Sequence, residues 1–282
     1  MPILLLGSGA YIGPAGQTNE GQMAHSFFGY IKLGNGETIR AHIKIYPSHF
    51  QCPQGTGTSL VNRSLENEVI GYSLAEAKGL TVAPRAGLIL LTYDQINQPP
   101  QWLQPNEAVP AWFSEDAKHP SLANFLKLSE LEGERAVAKL KAKLNRSPKK
   151  AAAWATFDES VFNVDRNPGN VLTNDTLIDH GSILCSETWS PDQLNAVADQ
   201  SNSMNKILIF LQEHAAELPF KQERVHAAQS QAASYSSNRD AVHSLLRETL
   251  YESQPETAEA VINFIEHRIR SANTPEKVGL VA

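Results

Sequence analysis

Cysteine is scarce: only Cys52 and Cys185 occur among 282 residues, far apart and outside any C-x-x-C pattern. That spacing offers no disulfide framework, and two reduced thiols in a cytoplasmic compartment are the expectation. Long hydrophobic runs are also missing. The opening MPILLL has no basic stretch before it and is too short for a secretory core, and no later run nears membrane-spanning length, so no membrane partner is expected. Basic charge is in deficit, with 24 Lys and Arg against 30 Asp and Glu, a net charge of −6 and a pI near 5.9. Without a broad basic field the chain is not expected to bind nucleic acid directly. The nine histidines form no H-x-H or H-E-x-x-H arrangement, which leaves zinc chemistry without support. No internal repeat is visible.

What is present divides into two unlike halves. From residue 1 to about 115, GYIKL, AHIKIY and AGLILLTY read as strands, and LENEVIGYSLAEAKG reads as one helix stopped at Gly79. Five of the sixteen prolines fall within residues 97 to 120 and mark a boundary, although AVPAWF there can still form a strand. Residues 116 to 282 turn helical. SLANFLKLSELEGERAVAKLKAKL has helix-period leucines, and two later helices open on the candidate capping boxes Ser190 to Gln193 and Ser253 to Glu256. KQERVHAAQSQAASYSSN, residues 221 to 238, is polar and weakly periodic, a helix fading into loop. The fold class expected is α+β and bilobal: an N-terminal antiparallel sheet with one main helix, then a mostly helical lobe.

FNVDRNPGNVLTNDTLIDHG, residues 162 to 181, carries the densest chemistry. A hairpin pairing 170 with 179, 171 with 178 and 172 with 177 leaves Asn174 and Asp175 as the turn and sets Asn170 beside Asp179. An amide oxygen next to a carboxylate suits a hard divalent ion such as Mg²⁺. Asp165, five residues before Asn170, is close enough to hold a hydroxyl near a metal-bound phosphate. Asp-x-x-x-x-Asn is also the spacing of the protein-kinase catalytic loop. Phosphoryl transfer further needs a cation for the phosphates, commonly a strand lysine oriented by a helix glutamate, and a loop whose N–H groups cover them. The first half offers Lys44 between Ile43 and Ile45, Glu68 near the helix start, and the glycine-punctuated GPAGQTNEG.

With these residues in view, FDESVFNVDRNPGNVLTNDTLIDHG resembles the catalytic and metal-binding segment of HipA-like kinases and, more distantly, of phosphatidylinositol 3- and 4-kinases. LENEVIGYSLAEAKGLTVAPRAGLIL is similar to the family's Asn-Glu helix and the turn after it, and GNGETIRAHIKIY resembles its lysine strand. The resemblance spans roughly residues 16 to 190 and is most specific in DRNPGN and LIDHG. It implies a protein-kinase-like fold using ATP and Mg²⁺. Asp165 would be the catalytic aspartate, Asn170 and Asp179 the metal ligands, Lys44 the phosphate contact and Glu68 its ion-pair partner. Gly16, Gln17, Thr18 and Asn19 would cover the nucleotide, and the adenine would lie against Trp112 to Glu115. The acceptor implied is a protein serine or threonine; self-modification at Thr18 or within Thr56 to Ser59 and a partner of the toxin–antitoxin type are open.

Other readings compete. A pseudokinase-like nucleotide-binding scaffold would share the fold, and a lipid or small alcohol could replace the protein acceptor. PILLLGSGAYIG imitates a dinucleotide fingerprint, but its spacing is G-x-G-x-x-x-G, and Pro14 and Gly16 spoil the helix that should follow. KLKAKLNRSPKK, residues 139 to 150, has six basic residues and reads as a solvated helix end or a dock for an acidic partner. His180 would at most orient the Asp179 carboxylate, and Trp154 and Phe157 read as core.

Overall fold

The computed structural model describes residues 3–17, 24–51, 59–128, 133–202, 204–214 and 217–281. Two compact units emerge, one comprising Met1–Val69 with Ala83–Lys118 and the other Ile70–Val82 with His119–Ala282.

The first unit is built on strands β1 (Leu4–Leu6), β2 (Tyr11–Gln17), β3 (His25–Lys32), β4 (Thr38–Ile45), β7 (Ala86–Thr92) and β8 (Ala108–Glu115), in the spatial order β1-β7-β8-β4-β3-β2. A separate two-stranded ribbon pairs β5 (His49–Gln51) with β6 (Ser59–Val61). The expected antiparallel sheet needs one correction, because β1 runs parallel to β7. Gly87 makes this pairing possible: a Cβ there would sit 2.1 Å from the Leu4 carbonyl oxygen, closer than any side chain tolerates.

β1 and β2 occupy opposite edges of the sheet yet are joined only through Gly7 to Ala10. Six flat strands would separate those edges by about 24 Å at ~4.8 Å per strand. The five steps from Leu6 to Tyr11 reach about 18 Å at most. The sheet therefore curls around its own core, in which Ile31, Ile43, Ile45, Leu91 and Phe113 are fully enclosed. Pro110 sits inside β8 at the point where β4 has ended, since pairing between β4 and β8 begins at Ala111. A missing N–H is tolerated where a strand has only one neighbour.

Helix α1 (Ser64–Ala77) belongs to the first unit through Val69 and to the second from Ile70. It ends as the glycine predicts. Gly79 takes φ 76°, the Leu80 N–H reaches the Ala75 carbonyl and the Gly79 N–H reaches that of Glu76, the paired bonds of a Schellman stop.

The second unit assembles α2 (Leu122–Leu128), α3 (Glu134–Arg146), α4 (Pro148–Val161), α5 (Pro191–Val197), α6 (Lys206–His214), α7 (Glu217–Ser244) and α8 (Pro255–Ser271), with a π-helical turn at Leu245–Leu250. α4 is its centre, buried continuously from Trp154 to Val161, so Trp154 and Phe157 are core residues as the sequence suggested. The polar 221 to 238 segment does not fade into loop; it is the interior of α7. Its buried stripe runs Phe220, Arg224, Gln231, Tyr235, Val242 at helical spacing, and two of those positions are polar, which hid the period. They are satisfied by partners: Gln231 Nε2 donates to the Ala153 carbonyl at 2.8 Å, and Arg224 Nη2 donates to Asn273 Oδ1 at 2.6 Å.

The Ser190 capping box forms as read, with both reciprocal bonds present. The Ser253 box does not. Gln254 is the N-cap of α8 and Pro255 its first helical residue, which places Ser253 outside the helix. Among the described residues no helix is long and apolar enough to cross a membrane.

Gly71 of α1 packs against His180 so closely that a Cβ there would lie 2.3 Å from the His180 Cβ. Because that neighbour is next to backbone, no rotamer change can clear it. Gly71→Ala is expected to lose about 1–3 kcal/mol to overpacking, reduced by the helix-propensity gain of about 1 kcal/mol. Urea unfolding measures the difference; a stabilised variant would show that the contact relaxes freely.

Candidate active site

In the first unit, strand alternation decides where Lys44 points. Ile43 and Ile45 are completely buried in the sheet core, so Lys44 lies on the opposite face, level with Trp112 of β8 and Ser26 of β3. Its Nζ meets Glu68 Oε1 at 2.6 Å, and the Tyr46 hydroxyl donates to the same oxygen at 2.9 Å. The pair is nearly solvent-free, with side-chain exposures of 10% and 1%, so the two charges depend on each other. The lysine and glutamate singled out from the sequence are thus brought into contact.

Gly16 and Gln17 are not loop residues. Both belong to β2, opposite Phe28 and Phe27, where the register with β3 shifts and Gly16 adopts φ 131°. The glycine permits the irregularity, since a side chain at that φ is strained. Thr18 and Asn19 lie outside the described residues, as do Thr56 and Thr58; Ser59 begins β6. At Trp112 to Glu115 the chain is strand rather than hinge, and the Glu115 N–H is already bonded to the Arg85 carbonyl at 2.7 Å.

In the second unit the 162 to 181 segment folds back on itself, but one residue out of the expected register. Val171 pairs with Leu177, Leu172 N–H reaches the Thr176 carbonyl, and Ile178 N–H reaches that of Asn170. The loop has three residues, Thr173, Asn174 and Asp175. Asp175 N–H closes a turn on the Leu172 carbonyl, Asp175 itself is left-handed at φ 72°, and Asn174 Oδ1 accepts from the Thr176 N–H. A turn followed by a left-handed residue is the common three-residue hairpin loop. Asn170 therefore opposes Ile178, and Asp179 lies one step beyond. The run of lysines read as a helix end or dock is partly engaged here: Lys150 pairs with Asp175, and Lys143 Nζ donates to the Thr173 carbonyl at 3.4 Å.

What joins Asn170 to Asp179 is a residue that sequence reasoning misses. Arg166 is fully buried and its Nε is 3.1 Å from both carboxylate oxygens of Asp158, itself fully buried in α4. Arg166 Nη1 donates to the carbonyls of Asn170 at 3.2 Å, Ile178 at 2.5 Å and Asp179 at 3.5 Å, while Nη2 donates to His180 Nδ1 at 3.3 Å. One guanidinium so gathers both arms of the hairpin, using the rigid fork that lysine lacks. Burial pushes the Asp158 carboxyl up, opposed by Arg166 and by the Asn205 and Asn163 amides. His180 serves this network rather than solvent, being 2% exposed. The only signal for Arg166 in the sequence is its place in Asp-Arg.

Asp165 stands outside the buried network with its side chain half exposed, and Lys206 Nζ lies 3.0 Å from its Oδ1. Its backbone is tied down: the N–H bonds Asn163 Oδ1, and the carbonyl accepts from Asn167 Nδ2 at 3.1 Å and Asn170 Nδ2 at 3.2 Å. The Asn170 NH₂ donates to that carbonyl, and its amide oxygen receives no hydrogen bond among the described residues. Asp179 is exposed and left-handed at φ 61°, a conformation that costs free energy for a non-glycine residue and is concentrated at functional sites. Among the described residues no three His, Cys, Asp or Glu side chains cluster as a metal site.

No family model and no curated protein matches the chain. Among solved structures, a MAP kinase from Leishmania major, LmaMPK10, is similar at 10% identity and a TM-score of 0.33, over 95% of this chain and 81% of that one.

Proposed function

We propose that the protein is an ATP- and Mg²⁺-dependent phosphotransferase of the protein-kinase kind, related to HipA-like kinases, that phosphorylates serine or threonine hydroxyls in polypeptides. The observation that carries this reading is the Arg166 guanidinium, which binds the carbonyls of Asn170 and Asp179 at once and so fixes an amide and a carboxylate within one loop with Asp165. The resemblance in DRNPGN and LIDHG supports the finer family placement. Asn170 and Asp179 would hold Mg²⁺, and the oxygen-only donor set fits it. When bound, the ion neutralises charge on the phosphates. Asp165 accepts the proton of the acceptor hydroxyl as that oxygen bonds to the γ-phosphorus and the bond to the β,γ-bridging oxygen breaks, releasing ADP. By the resemblance Lys44, held by Glu68 within the first unit, would be the phosphate contact. Each of these groups acts by position and charge, which is most of what phosphoryl transfer asks of a protein.

Calorimetric titration with Mg²⁺ and ATP tests the reading on the wild type and on Asp179→Asn, chosen because asparagine tolerates the left-handed backbone that alanine would strain. The wild type is expected to bind at least tenfold more tightly than the variant, and to fall to the variant's level when Mg²⁺ is withheld. Folded wild-type protein that does not bind ATP, or a variant that binds equally well, would overturn the proposal. Phosphosite mapping after incubation with ATP tests self-modification at Thr18 and Thr56 to Ser59 on the same preparation.

A further inference from the structure

The contact between Lys206 and Asp165 is not part of the buried network, yet the backbone behind it is fixed. Ahead of α6, Asn202 Nδ2 and Asn205 Nδ2 donate to the Asn163 carbonyl at 2.6 and 3.3 Å, and the Ile207 N–H donates to the Arg166 carbonyl at 3.2 Å. The start of α6 is thereby anchored to residues on both sides of Asp165. Asn202 N–H also bonds Glu159 Oε1 of α4 at 3.1 Å, which ties the same segment to the core. Lys206 leaves this anchored base and takes Oδ1 of the Asp165 carboxylate. Among the described residues it is the only ion-pair partner Asp165 has, and Oδ2 receives no donor. The nearer cation in sequence, Arg166, is committed to Asp158, and the residue two places after Asp165 is Asn167, which has no charge.

We propose that Lys206 is the positioning residue for Asp165: it holds Oδ1 and so leaves Oδ2 for the acceptor hydroxyl. The inference rests on the phosphotransferase reading. A carboxylate on a short exposed side chain otherwise samples several rotamers, and an error of about 1 Å in a reacting group can cost about a hundredfold in rate. An exposed ion pair contributes little to stability. Lys206 should therefore matter for turnover and hardly at all for folding, which a merely structural surface pair would not show.

The test uses full-length protein, labelled ATP and a degenerate mixture of serine- and threonine-containing peptides as acceptor. Lys206→Met is expected to lower kcat about twofold to fivefold, the most that a weak exposed pair can shift the Asp165 rotamer population, with KM for ATP and the melting temperature unchanged, and Lys206→Arg to recover most of the rate. Because Lys206 acts through Asp165, the double variant Asp165→Asn/Lys206→Met should be no slower than Asp165→Asn alone. If the wild type is active and Lys206→Met matches it, or if the two losses multiply, the Lys206 inference falls while the phosphotransferase reading stands. A wild type that neither binds ATP nor labels the peptides overturns both.

Discussion

Replacing Arg166 with leucine is expected to remove about 3–5 kcal/mol of stability, because it strands the Asp158 carboxylate in the core without its counter-charge. Both side chains have no solvent exposure. Native domains hold only about 5–15 kcal/mol in total, so the loss is a large part of the whole. The carbonyls of Asn170, Ile178 and Asp179 lose a shared donor in the same step. Arg166→Lys should fail nearly as badly, since a single ammonium cannot serve Asp158 and three carbonyls together. Adding Asp158→Asn to Arg166→Leu removes the stranded charge and should recover much of the stability, but not the hairpin geometry. Urea unfolding with a circular-dichroism readout measures the three variants. A loss below about 1 kcal/mol for Arg166→Leu would mean that water reaches Asp158, and the network would lose its claim to shape the site.

Lys78 carries the second large effect, in the opposite direction. It lies at the end of α1, wholly buried, with its Nζ donating to Ser160 Oγ, while Ser160 gives its own proton to the Phe157 carbonyl at 2.7 Å. Among the described residues no carboxylate pairs with it. Burial first, and then repulsion from Arg268, lowers its pKa to about 7. In the unfolded chain a lysine titrates near 10.4. Between those two values the unfolded state binds more protons than the folded one, so stability rises with pH. The penalty is complete below pH 7, where both states carry the charge, and is gone above the unfolded pKa. From pH 6 to pH 9 this one group should add roughly 2–3 kcal/mol. Lys78→Met keeps the length and removes the charge; it should be more stable than wild type at pH 6 and should lack the rise. Subtracting the variant's pH profile from that of the wild type cancels the contribution of every other group. Parallel profiles would show that Lys78 keeps its charge inside the fold.

Several features of this fold depend on one short stretch of chain, and these are legible in the order of the amino acids. The Lys44 side follows from alternation between two isoleucines, the α1 stop from a glycine that can turn left-handed, and the Ser190 cap from residues three apart. The oxygen-donor types at 165, 170 and 179 are equally plain. Tertiary structure decided how they are arranged. Whether the hairpin loop takes two residues or three moves Asn170 from opposite Asp179 to opposite Ile178. Arg224 and Gln231 look like surface until Asn273 and Ala153 meet them. Gly71 faces His180 across more than a hundred residues, and Lys206 meets Asp165 across 41. Composition and periodicity report what a residue offers to its neighbours in sequence. A buried polar group is stable only beside a particular partner, and that partner is known only once the chain has closed around it.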